Sequence, residues 1–241
     1  MAFKAPKGNG GNKERVEQPN IEPGGYPGRL VQLIDLGLQP QKPYQGQEKA
    51  PVQMVMFTYE LVDCFMLDEE GNEVEDKPRW ISETLPFLSL KADKAKSTQR
   101  YKAFDPNFEN DGDWSKYLGE PVTVTIINNP GKEGKVYDNI ASLSTMRARD
   151  ADKCPPLKNP AKMFSLDDPD LEVFNSLPEW IRDKIKSNLN YKGSKLEKLL
   201  QGSVSKAPNK AKEAPKPTDE GEAPWEDNKA PVVDSDDDTP Y

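Results

Sequence analysis

Histidine is missing from this chain of 241 residues. That removes Ser-His-Asp and Cys-His catalysis, the commonest metal ligand and the usual general base. Cysteine is scarce: Cys64 and Cys154 stand alone and far apart, which makes neither a disulfide framework nor a zinc site. Two reduced thiols are expected, with Cys64 packed in a strand. No apolar run is long enough to span a bilayer and no signal-peptide core is visible, so a soluble, non-membrane protein of the cytoplasm is expected. No cofactor or metal is implied. Carboxylate-only metal chemistry through Asp63, Asp68 or Glu83 survives as a remote option.

Excess positive charge is lacking too. The net charge is −8, and its distribution is uneven. Residues 219–241 hold nine Asp and Glu against Lys229, leaving 32 basic and 32 acidic residues before them. An acidic tail therefore follows a neutral body that can still bind an anion. Within residues 1–152, 19 bases face 24 acids, but six of those acids crowd Asp68–Asp76 and four lie in Asp105–Asp113. A cationic face requires both clusters to point away from it.

The chain is organised around Tyr26–Leu38, the first long apolar run, which follows the turn signal Pro23-Gly24-Gly25. Its Leu, Val and Ile fall on both parities, as in a strand buried on both faces. Gly28 and Gly37 mark bulges or bends. A long, bent first strand shared by two sheets is what closing a small barrel requires. A loop, Gln39–Pro51, leads to a second strand, Val52–Leu67. There Val55, Phe57, Tyr59, Leu61 and Phe65 form the core parity, and Met54, Met56, Thr58, Glu60 and Val62 the other. After an acidic turn tipped by Gly71 and Asn72 comes a third strand, Arg79–Leu85. Lys91–Phe104 favours helix, ended by Asp105-Pro106. Val122–Ile127 and Lys135–Leu143 are strands four and five around a Pro-Gly turn. Residues 168–191 read as two short helices with an apolar stripe of Leu171, Phe174, Leu177, Trp180, Ile181, Ile185 and Leu189, docking on the barrel or on a second copy.

The predicted architecture is thus mainly β: a five-stranded OB-fold barrel with a helix between strands three and four, a small C-terminal helical appendage and a disordered acidic tail. Residues 1–22 are a flexible arm and 23–150 the barrel. Residues 151–200 are an extended connector with short helices, and 201–241 a linker and tail.

Single strands are bound by aromatic platforms in a basic groove. In an OB-fold that groove crosses strands two and three between the first-to-second and fourth-to-fifth loops. Candidates there are Lys42, Tyr44, Lys49, Tyr59, Arg79, Trp80, Lys132, Lys135 and Tyr137, bordered by Arg100, Tyr101 and Lys102 on the helix. Tyr59 shares the parity of Phe57, which equally suits the core. Tyr44, in a polar loop, and Trp80, beside Arg79, are the favoured stackers.

The chain ends Asp234-Ser-Asp-Asp-Asp-Thr-Pro-Tyr. This end resembles the Asp-Asp-Asp-Ile-Pro-Phe terminus of bacterial single-stranded DNA-binding proteins, with Thr239 for Ile and Tyr241 for Phe. The body, through Gly24–Leu36, Asn129-Pro-Gly-Lys and Val136-Tyr-Asp-Asn-Ile, is similar to bacteriophage single-stranded DNA-binding proteins over residues 20–146. The resemblance implies a non-enzymatic, sequence-independent DNA-binding protein of phage replication, recombination and repair, working in the infected host's cytoplasm. Its tail residues Asp234, Asp236, Asp237, Asp238, Pro240 and Tyr241 would recruit a DNA polymerase, helicase-primase or nuclease. A homodimer is a further option. The competing expectation is an OB-like interaction module of the replication machinery with little DNA affinity.

Overall fold

Strand β1, Gly24–Gln39, belongs to two strand pairings at once. Its first half pairs antiparallel with β4, Pro121–Pro130, and its second half with β2, Val52–Leu67. The change of partner falls at Gly28, which lies opposite both Leu61 and Val122. A Cβ there would sit 3.0 Å from Val124 Cγ2 and 3.2 Å from the Glu60 carbonyl, so only glycine lets three strands meet so closely. The register slips between Leu30 and Gln32 and again between Asp35 and Gly37. Each slip is a bulge that reverses side-chain parity. That is why Leu30 and Leu33 face one core while Val31, Ile34 and Leu36 face another.

The computed structural model describes residues 16–131 and 134–205, with side chains to residue 202. β3 is Glu73–Pro86 and β5 is Val136–Ser144. The antiparallel order β3-β2-β1-β4-β5 makes a curled, half-barrel sheet consistent with an OB-like fold, and α1, Lys96–Phe104, lies between β3 and β4 in sequence. Inside the curl, Leu30, Val55, Phe57, Tyr59, Leu61 and Ile81 pack with Tyr101 of α1 and with Trp114 and Tyr117 of a 3-10 turn.

The outer face is covered. After α2, Ala148–Ala151, the chain adds β6, Lys162–Phe164, parallel to β1. Helices α3, Leu171–Ser176, α4, Glu179–Lys186, and α5, Lys195–Ser205, follow. Phe174, Leu177, Ile181, Ile185 and Leu196 bury against Val31, Ile34, Leu36, Met56 and Trp80. The predicted apolar stripe therefore docks on the barrel, except Leu189, which is 54% exposed.

Several boundaries differ from expectation. β3 starts at Glu73, not Arg79, because pairing of Met66 and Leu67 with Val74 and Glu73 carries the acidic run into the hairpin. α1 begins at Lys96, not Lys91, after turns at residues 90–95. Helix α5 continues to Ser205, past the expected start of the linker at 201. Residues 16–22 of the expected arm are bound. Gln18 bonds both backbone groups of Leu67 at 2.8 and 3.0 Å, and Ile21 enters the inner core.

Candidate nucleic-acid interface

The wall of β2 and β3 expected to form the groove lies under the C-terminal layer. Glu60, fully buried on β2, explains how that layer is held. Its carboxylate accepts bonds from Trp80 Nε1 at 3.0 Å, the Lys158 amide at 2.7 Å and Asn159 Nδ2 at 2.7 Å. Four donors in all, counting the Asn159 amide at 3.3 Å, satisfy a carboxylate that burial would otherwise penalise. Arg29 ties down the same connector through the carbonyls of Cys154 and Pro155, at 2.9 and 2.7 Å.

This placement corrects four of the candidates. Trp80 is 6% exposed, its ring in the outer core and its N–H on Glu60. Tyr59 and Tyr101 are fully buried in the inner core. Burial pushes the Tyr59 hydroxyl well above its usual pKa. Arg100 is buried against Glu83. None of the three rings offers a face to a base, because each is buried. Arg79 is committed as well: Nη1 donates to the Pro19 carbonyl at 2.7 Å and Nη2 lies 3.6 Å from Asp138. Lys102 stands 3.3 Å from Asp93.

The remaining candidates fall into two groups. Lys42, Tyr44 and Lys49 lie on the β1–β2 loop, where Lys49 Nζ is 4.5 Å over the Tyr44 ring and Tyr44 bridges Gln47. Lys135 and Tyr137 lie at the β4–β5 hairpin, whose strand β4 pairs with the opposite end of β1. The structure does not bring these groups together. Lys132 and the tail residues Asp234, Asp236, Asp237, Asp238, Pro240 and Tyr241 lie outside the described residues.

A different feature adjoins the loop. Leu38 and Gln53, which flank it, line a cleft of about 830 Å³ between the barrel rim and the C-terminal layer. Phe87, Trp114, Met163, Asn190 and Lys195 line it too. Phe87 is 39% and Met163 44% exposed. Asp35 in its wall accepts from the Gly37 amide, the Gln53 side chain and the Leu166 amide. Burial raises its pKa, and those bonds oppose the rise. Sequence reading missed this cleft, although Lys184, Lys186, Lys192, Lys195 and Lys198 stand against only Glu197 in residues 184–198.

Metal-dependent cleavage gains no geometric support. Glu83 is held by Arg100, and Asp68 accepts the amides of Glu70 and Asn72 in its turn. Among the described residues no three acidic or cysteine side chains converge as a metal site.

Comparison with protein-family models, with curated proteins and with solved structures finds no match.

Proposed function

We propose that this chain is an OB-fold single-stranded DNA-binding protein of bacteriophage replication, recombination and repair. It binds unpaired strands without sequence preference and recruits replication proteins through its acidic end. The observation that carries this reading is the combination of a curled β-β-β-α-β-β half-barrel with a β1–β2 loop whose Lys42 and Lys49 flank Tyr44. In an OB-fold that loop bounds the strand-binding groove. Backbone neutralisation by lysine and stacking on aromatic rings need no sequence information from the bases. The tail, resembling bacterial single-stranded DNA-binding proteins, supplies an anion that competes with DNA and captures a basic partner pocket once DNA displaces it.

The test is anisotropy of a fluorescein-labelled oligo-dT titrated with full-length protein over a range of salt. Binding that weakens with salt, by about 0.7 in log–log slope per phosphate contact, is expected. Tyr44→Ala and Lys49→Ala should each weaken it. Truncation after Thr218 should tighten it and abolish recruitment of replication proteins. No anisotropy change at low salt rejects the reading. The covered β2–β3 wall favours the second reading, an OB-like interaction module with little DNA affinity, and that negative result would support it.

A further inference from the structure

We propose that the C-terminal layer is the second wall of the strand-binding site: the lysines of residues 184–198 hold the phosphates of single-stranded DNA while an unpaired base stacks on Phe87 in the adjoining cleft. This rests on the reading of the chain as a single-stranded DNA-binding protein and moves the strand away from the covered wall.

The layer does not lift off to expose that wall. Eleven buried residues form the outer core, and fully burying each large apolar side chain is worth roughly 1.5–3 kcal/mol. A strand must therefore pass elsewhere. The cleft is continuous with the β1–β2 loop, because Leu38 and Gln53 belong to both boundaries. Its far wall is clamped to the end of β1 rather than loosely apposed. The Leu189 amide donates to the Leu38 carbonyl at 2.9 Å, and Gln39 Nε2 donates to the Lys184 carbonyl at 3.0 Å. A positive φ of 77° at Gly37 lets Asn188 approach so closely that a Cβ there would lie 2.6 Å from Asn188 Cγ.

The phosphates follow the segment beside the cleft: of its lysines Lys195 lines the cleft itself, and the others stand on the same segment next to lining residues Asn188, Asn190 and Ser194. Lys184, Lys186, Lys192, Lys195 and Lys198 are all exposed, against one carboxylate, Glu197, which accepts the Gly193 amide. The acids of the cleft are mostly engaged: Asp35 as described, and Asp113 in capping the turn at Ser115. Asp35, Asp113 and Asp167 all remain opposing charges in the lining, and Asp167 is the one of the three whose backbone carbonyl accepts from Lys195. Phe87 and Met163, both partly exposed, give the lining an apolar part that a base can cover with either of its faces. The volume admits a nucleotide.

The experiment is the same oligo-dT anisotropy with full-length variants, each checked for an unchanged thermal unfolding midpoint. Combined Lys184→Gln, Lys192→Gln and Lys198→Gln should weaken binding about tenfold and lower the salt slope by about 2. Phe87→Leu, which keeps apolar bulk but no ring, should weaken it about fivefold or more with the slope unchanged. Asp167→Asn should tighten binding, an effect of charge that a purely structural role would not produce. Ultraviolet crosslinking to bromodeoxyuridine-substituted oligo-dT should label the peptide containing Phe87. If wild type binds while the lysine and Phe87 variants keep its affinity and slope, or lose affinity with no slope change in the lysine variant, the cleft is overturned and the function stands. If wild type fails to bind, both are overturned.

Discussion

Arg100 of α1 grips Glu83 of β3 through two bonds, 2.7 and 2.9 Å long, and turns the rest of its guanidinium onto β5. It donates to the carbonyls of Ile140 and Ala141 at 3.1 and 3.4 Å. β3 and β5 are the two ends of the curled sheet and do not pair with each other. This side chain therefore spans the open seam, and the Arg79–Asp138 ion pair, 3.6 Å long, spans it again. Further along, Asp138 of β5 accepts the Asn20 side chain at 2.7 Å and the Ile21 amide at 3.0 Å, so the N-terminal segment covers the rest.

A buried ion pair is most sensitive to loss of one partner, because the other charge is left without compensation. Arg100→Ala is expected to lower the free energy of unfolding by about 3–5 kcal/mol in urea titrations. The double variant Arg100→Met, Glu83→Leu should recover most of it. An unmoved midpoint in the single variant would show that the seam does not depend on this pair.

Asp105 ends α1 and gathers the loop that follows. It accepts the Glu109 and Asn110 amides at 2.9 Å each and the Tyr101 hydroxyl at 3.3 Å. Burial acts to raise its pKa, but these bonds outweigh it and hold the carboxyl at about 2, below the ordinary 3.8. The unfolded chain then binds the proton more readily, so the stabilisation is present above the ordinary value and is lost as pH falls through about 4 towards 2. Asp105→Asn should melt earlier than wild type at pH 7, with the gap narrowing across that window. Melting temperatures by circular dichroism at several pH values would show it. A constant gap would place the group's titration elsewhere.

Gly37 carries a left-handed φ of 77° directly under Asn188. Gly37→Ala should cost about 1–2 kcal/mol from backbone strain alone and more from the collision. Adding Asn188→Gly should relieve the collision with Asn188 but neither the strain nor the approach to Leu166 Cδ1, 2.8 Å from that Cβ. Urea midpoints would therefore fall in the order wild type, double variant, Gly37→Ala, and equal midpoints for the two variants would deny the contact.

Glu60 is the anchor of the connector. Glu60→Ala leaves the Trp80 N–H and the Lys158 and Asn159 amides without their acceptor, at roughly 1–3 kcal/mol for each buried unsatisfied group. Amide exchange at residues 156–160 should accelerate more than exchange in β4. Uniform acceleration through the sheet would mean that Glu60 supports the whole barrel and not the layer above it.

Most of the strand frame was legible in sequence, and the reason is local. β2 was bounded correctly at both ends because a run of alternating apolar residues stands between Pro51 and the acidic Asp68 turn. The helix between β3 and β4, and the short helices opening at Leu171 and after Pro178, follow from breakers and periodicity in the same way. The site was much less legible. Trp80 and Tyr59 are aromatic, and Arg79 and Arg100 basic, in any reading of the chain. Whether such a side chain meets water or another layer depends on distant chain: Arg79 meets Pro19, Arg100 meets Glu83, Ile140 and Ala141, and Trp80 is covered by residues from Phe164 to Leu196.

Composition and pattern alone determined that histidine chemistry is absent, that acidity is concentrated at the end, and that five strands and a helix follow in this order. These are properties of short windows or of simple counts. Tertiary structure decided which face of the sheet is open. The apolar residues of β1 on both parities announced two buried faces, but not that helices from residues 171–205 would supply the second cover. A β-strand shows only that its side chains alternate; what lies above each face is set by distant chain returning to it. That return closed the expected wall, bound Glu60 and Trp80 into it, and left a cleft at the rim where Phe87 meets the solvent.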